Sequence, residues 1–194
     1  MKIKWENRFQ CRGKKRYVAS ANVSVDGTDY QIQEPWPFTK DFNRKFYSHK
    51  FKRAGLRYEI AVSISSGDIV WFHGPFPCGS FPDTKIFWLK LEKMLESHER
   101  AVADKGYRGV VKCMTDFDAE SKEHKAFMSN ARARHETVNR RLKEYQSLKQ
   151  LWRHDVNKHH LVFKCVVTIV QLEFNYGHGP FQFNGFNENI LYTT

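Results

Sequence analysis

No two of the four cysteines are close in sequence: Cys11, Cys78, Cys113 and Cys165 are scattered, and none forms a C-x-x-C pair. That spacing signals neither a zinc knuckle nor a disulfide framework, so reduced, structural cysteines are expected. Long apolar runs are missing as well. The longest, Cys165 to Val170, contains a threonine and is far too short to span a bilayer, and Met1-Lys2-Ile3-Lys4 leads into no apolar stretch. A soluble intracellular protein without a membrane partner is expected. Neither a low-complexity tract nor an internal repeat interrupts the chain, and 41% of it is hydrophobic and 15% aromatic. A chain of 194 residues with that composition packs as one domain and is too short for a second full one.

Acids are the scarcer charge. Lys and Arg number 32 against 21 acids, a formal net charge of +11. The excess is uneven, since residues 1–57 hold fourteen Lys and Arg against five acids, with clusters at Arg12, Lys14-Lys15-Arg16 and Lys50, Lys52, Arg53. A surplus of this kind favours anionic partners, nucleic acid before membrane surfaces, although an isolated cluster is equally well a solvated face.

Periodicity gives a coarse layout. Tyr17 to Val25 reads as a strand, Asp26-Gly27 as a hairpin turn, and Tyr30 with Ile32 as the partner strand, ended by Glu34-Pro35-Trp36-Pro37. Leu56, Tyr58, Ile60, Val62 and Ile64 alternate with polar or small residues, and Ser66-Gly67-Asp68 turns the chain into Ile69 to Phe72. A Pro/Gly loop over 74–82 precedes a helix from Asp83, with Asp83 or Ser80 as its cap. Arg100 to Ala103 reads as a short strand delivering Asp104 into a loop. Helices are predicted over Lys122 to Trp152, with an apolar stripe from Phe127 to Trp152, and over Leu161 to Phe174. Strands early and helices late imply an α/β or α+β layer architecture.

Three acids stand in separate short motifs: Val25-Asp26-Gly27-Thr28, Ala103-Asp104-Lys105-Gly106-Tyr107, and the helical run Arg134 to Lys143 that holds Glu136. Each has an ordinary structural explanation: a turn residue, a loop acid, and a solvated helix-face glutamate four residues before Arg140. Brought together by a sheet and a helix, three carboxylates can hold divalent ions against a phosphodiester, and the surrounding basic charge would hold the substrate.

The stretch from about Val23 to Leu172 resembles the DDE transposase/endonuclease superfamily of the Harbinger type. The first-Asp strand is matched by Val25 to Thr28 with Pro35, and a lysine-bearing loop and second strand by Ser48-His49-Lys50 and Leu56 to Ser63. Gly79-Ser80-Phe81-Pro82-Asp83-Thr84 resembles the segment after the third strand, Ala103 to Gly109 the second-Asp motif, and Arg132 to Lys143 the Glu-bearing helix. The resemblance implies a ribonuclease H-like mixed sheet flanked by helices, and a metal-dependent DNA nuclease or transposase core. It implies Asp26, Asp104 and Glu136 as the catalytic, metal-binding triad for Mg²⁺ or Mn²⁺, with two ions and DNA as partner. A nuclear location follows, or a cytoplasmic one in a prokaryote. An inactive nucleic-acid-binding protein that kept the fold is the alternative.

Asp83 is the weaker candidate, as helix cap or as a residue behind the ligands; Lys105, Arg132 and Arg140 are candidate phosphate contacts. His135 is expected to be a core or surface residue and not a ligand, and His154, His159 and His160 show no metal spacing. Family members carry a helical DNA-binding region ahead of the first Asp. Here a basic segment over 1–17, a catalytic domain over 18–176 and a tail over 177–194 are expected; a fragment, a degenerate copy and a stand-alone core are the open alternatives, and a separate DNA-binding partner protein is one candidate source of base recognition.

Overall fold

The computed structural model describes residues 1–9, 20–35 and 43–181. The basic cluster Arg12 to Arg16, the start of the first predicted strand and most of the C-terminal tail lie outside these residues. The strands are β1 (Ala21–Gln31), β2 (Tyr47–Ser48), β3 (Arg53–Ser63), β4 (Ile69–Pro77), β5 (Arg100–Val102) and β6 (Cys113–Met114). The helices are α1 (Asp83–Leu89), α2 (Leu91–Met94), α3 (Lys122–Glu144), α4 (Gln146–Lys149) and α5 (His159–Glu173). The strands make one mixed sheet in the order β4-β3-β1-β5-β6, with β2 paired to the start of β3. β1, β3 and β4 are antiparallel neighbours, whereas β5 runs parallel to β1 and β6 parallel to β5.

Side chains alternate across the strands and therefore supply two cores. On one face Tyr30, Tyr58, Ile60 and Val62 pack with Val138 and Leu142 of α3 and with Phe163, Val167 and Val170 of α5. Tyr58 stacks on Phe163 with ring centroids 3.7 Å apart, and its hydroxyl meets Nδ1 of His159 at 2.8 Å. On the other face Val23, Val25, Ala61 and Trp71 pack with Phe87, Leu91 and Tyr107. Helices thus cover both faces of a mixed sheet whose first three long strands form an antiparallel meander. This is the ribonuclease H-like arrangement.

Two of the expected boundaries are overturned. Asp26-Gly27 does not turn a hairpin: β1 runs straight through it, in register with β3 from Val23 opposite Ser63 to Gln31 opposite Gly55. Gly27 serves a close approach instead of a turn, because a Cβ there would overlap Oδ1 of Asp83. Gly27→Ala is therefore expected to displace the Asp83 carboxylate and lower stability by ~1–3 kcal/mol, as overpacking does. An unchanged melting temperature would refute this reading of the glycine.

The long helix does not reach Trp152. α3 ends at Glu144 and Tyr145 takes an extended conformation. The chain is drawn off the helical path because Trp152 pairs with the end of β1: its N–H donates to the Gln31 carbonyl at 3.0 Å and its carbonyl accepts from Gln33 N–H at 2.7 Å. Two further expectations differ in detail. β4 continues to Pro77, into the predicted loop, and α1 is capped by the backbone at Pro82, not by the side chain of Ser80 or Asp83.

Candidate functional site

Asp26 lies in the middle of β1 on the α3 face. β5 is its parallel neighbour, with Ser24 opposite Val102, so Asp104, two residues beyond the carboxyl end of β5, comes level with Asp26. Crevices beyond the carboxyl ends of parallel strands are where α/β sheets commonly place ligands. α3 crosses there and supplies Glu136 and Asn139. The fold thereby brings all three sequence-predicted acids to the wall of one small cleft, with Ser24, Arg132 and His135 beside them and a volume of ≈ 80 Å³.

Each acid is held differently. Asp26 is half-buried, and its Oδ2 accepts from Nδ2 of Asn139 at 3.1 Å. The Asp26 carboxyl is raised from an ordinary 3.8 to about 7, by burial first and then by the charges of Asp83, Glu136 and Asp104 in that order of size. Asp104 is exposed, and its Oδ1 accepts from Gly106 N–H at 2.7 Å, capping a single 3₁₀ turn over Lys105–Tyr107. Glu136 is exposed on the polar side of α3. Among the described residues no ion pair joins it to Arg140.

The local charge balance is therefore negative on a chain that is positive overall. Oxygen donors with surplus negative charge suit a hard divalent cation, which would supply the missing positive charge and lower the Asp26 carboxyl to its ionised form. As placed, no three His, Cys, Asp or Glu among the described residues are close enough to share one ion. The acids line a common cleft without forming a finished coordination sphere. Their chemistry, oxygen donors throughout, suits a hard divalent cation; their placement does not complete its site.

Asp83 sits behind the site on the opposite face of β1. Its carboxylate lies over Gly27 and pairs with Nη1 of Arg57 at 3.4 Å. Arg57 in turn holds buried Asp29 through two bonds, Nε to Oδ1 at 2.7 Å and Nη2 to Oδ2 at 3.1 Å, and Ser48 Oγ donates to Asp29 at 2.6 Å. These bonds keep the Asp29 carboxyl below the usual carboxylate range despite its burial. Asp83 is the largest of the charges acting on Asp26, so its place is behind the candidate ligands and not at the helix cap.

His135 is a core residue, as expected. It is buried, its Nδ1 lies 2.9 Å from Ser24 Oγ, and burial lowers its pKa to about 4, which keeps it neutral. Arg132 is committed to Asp116 by bonds of 2.7 and 2.8 Å, so its charge is partly spent. Arg140 lines a second, larger cleft of ≈ 350 Å³ on the other side of Glu136, together with Lys50, Phe51, Asn139, Lys143 and Lys149. Sequence reasoning passed over Asn139 and Lys143. Their signal was present in helical spacing, since Asn139 and Lys143 follow Glu136 by three and seven residues on the same face.

Against this geometry the family comparison is decisive. A model of the DDE superfamily endonucleases matches residues 25–171, well over half the chain. The chain belongs to this superfamily. The match begins at Val25, beside Asp26, and ends at Gln171 in α5, so it spans the sheet, the cleft and α3 of the DDE domain. No curated protein and no solved structure gives a significant match. As a DDE superfamily member the chain is assigned to the nucleases and transposases, a class that acts on DNA and generally uses divalent metals.

Proposed function

We propose that the protein is the catalytic core of a Harbinger-type DDE nuclease or transposase that cuts DNA phosphodiesters with two Mg²⁺ or Mn²⁺ ions, strand joining being the further step open to a transposase. The observation that carries this reading is the shared cleft beside the middle of β1 and the carboxyl end of β5, where Asp26 is pushed to about 7 by burial first and by its acidic neighbours second, on an otherwise basic protein. Asp26, Asp104 and Glu136 would hold the ions, Asp26 from β1, Asp104 from the turn that follows its parallel neighbour β5, and Glu136 from α3. When bound, the ions activate a water or a 3′-hydroxyl and stabilise charge on the attacked phosphate. Asn139 fixes the Asp26 carboxylate by its hydrogen bond. The Asp83–Arg57–Asp29 chain supports β1 from behind. On this reading the catalytic domain covers residues 18–176, and its setting is the nucleus, or the cytoplasm in a prokaryote.

The acids do not yet form a coordination sphere, and that observation favours a second reading, a nucleic-acid-binding protein that kept the fold without the activity. Cleavage of supercoiled DNA in Mg²⁺ separates the two. The wild type is expected to nick and linearise the plasmid, and Asp104→Ala to lose ~10²–10³-fold of that rate, the scale of removing one electrostatic stabiliser of a transition state. Equal rates in the two proteins would sink the nuclease assignment.

A further inference from the structure

The larger cleft beside Glu136 has a composition that a duplex-gripping surface does not need. It carries Lys50, Arg140, Lys143 and Lys149, none of which makes an ion pair among the described residues. The one buried carboxylate in its wall, Asp29, is already taken by Arg57 and Ser48. Lys143 is only half-exposed, its Nζ lies 5.4 Å from the centre of the Tyr30 ring, and burial with the nearby Lys50 charge holds its ammonium below the usual lysine range. Lysines that line one recess without an ion pair favour an anion there, even though the carboxylates of Asp29, Glu136 and Asp26 offset part of the repulsion on Lys143. Backbone phosphates of a duplex could be met by cations on an open ridge. This cleft instead is concave, ≈ 350 Å³, with Phe51 and Leu148 as apolar wall, a size within the range of sites that enclose small organic groups.

Asn139 ties the two clefts together. Its Nδ2 donates to Asp26, while its Oδ1 is buried without a partner among the described residues, and the residue lines the larger cleft. Glu136 lines both clefts. A strand whose phosphate lies at the carboxylates therefore has its neighbouring nucleotide at the cationic recess.

We infer that the recess seats one unpaired nucleotide of the DNA substrate next to the scissile phosphate, with its phosphate between Lys50 and Lys143 and its base against Phe51. This rests on the proposed nuclease reading and adds a requirement for strand distortion there. Enzymes that extrude a nucleotide recover the unstacking cost in such a pocket, and bind most tightly where the base is already unpaired.

The test is anisotropy with three labelled DNAs in metal-free buffer: a paired duplex, the same duplex with a one-nucleotide bulge, and that bulge made abasic. The full chain is expected to bind the bulged DNA about tenfold tighter than the other two, at the low end of what stacking one base on an aromatic ring contributes. Phe51→Ala, and Phe51→Leu as the variant that keeps apolar volume, should erase the preference. Lys143→Gln should weaken all three and reduce the salt slope by about one unit. Equal binding of paired and bulged DNA by wild type, or a preference that survives both Phe51 variants, overturns the subsite. Plasmid cleavage separates this from the parent reading: cleavage without the preference refutes the recess alone, whereas preference without cleavage keeps the recess and refutes the nuclease.

Discussion

Asp26→Asn is expected to abolish cleavage and at the same time to make the metal-free protein more stable at pH 8. The first effect follows from removing a charge that would bind the cation. The second follows from the electrostatics of the cleft. The native Asp26 carboxyl titrates at about 7, above its ordinary 3.8. Between those values the folded protein holds a proton that the unfolded chain has released, so stability falls as pH rises from about 4 to 7 and the full penalty is present above 7. A shift of this size corresponds to at most ~4 kcal/mol, and solvent in the cleft reduces it to about 1–3 kcal/mol. Asparagine removes the charge and keeps an oxygen for Asn139. Thermal melts in EDTA at pH 5 and pH 8 should show the wild type losing stability on going alkaline and the variant losing less. Added Mg²⁺ should raise the melting temperature of the wild type more than that of the variant. Parallel pH profiles for the two proteins would contradict the assignment of the penalty to Asp26.

Arg57→Met should cost about 3–5 kcal/mol, the largest stability effect of any single substitution considered, because it strands a buried carboxylate. Asp29 is 3% exposed, and Arg57 provides two of its bonds. Asp83 would lose its cationic neighbour as well, and its charge would then act on Asp26 unopposed. The sign of the pH effect also changes. Asp29 has a depressed pKa in the native protein, so its pair contributes stability above the ordinary carboxylate range that is lost as pH falls. In the variant that acid-side loss should diminish, and adding Asp29→Leu should recover part of the stability. Urea titrations at pH 7 and pH 4 measure both effects; an unchanged midpoint for Arg57→Met would show that the network does not hold β1.

The elements that were legible are those whose burial pattern is one-sided and local. β3 announces itself by strict alternation from Leu56 to Ile64, and α5 by its apolar spacing. β1 was misread because Asp26-Gly27 has two meanings, and only a residue distant in sequence, Asp83 over Gly27, decides between them. The end of α3 was hidden for the same reason: Trp152 fits the helical stripe yet is claimed by the edge of β1. β2 and β6, two residues each, carry no pattern at all. For the site, the three acids were found through family motifs and not through spacing, since nothing in the interval between Asp26 and Asp104 says that β1 and β5 are neighbours. Helical spacing puts Asn139 and Lys143 on the face of Glu136, but only the cleft tells them apart from the solvated residues of that face.

The three acids differ in how freely each can answer an incoming ion. Asp26 is built into a strand paired on both sides, and Glu136 belongs to a helix pinned through buried Arg134, His135 and Val138. Asp104 hangs from a three-residue strand by one turn, tethered through the Gly106 amide, with glycines at 106 and 109 and the latter at a φ of 84°. If the proposed triad holds an ion, closure of its coordination sphere would fall to the 104–109 turn, where Asp104 keeps one carboxylate oxygen in the Gly106 bond and has the other to offer. On the proposed reading, lengthening or stiffening that turn would then tune metal affinity without changing any ligand.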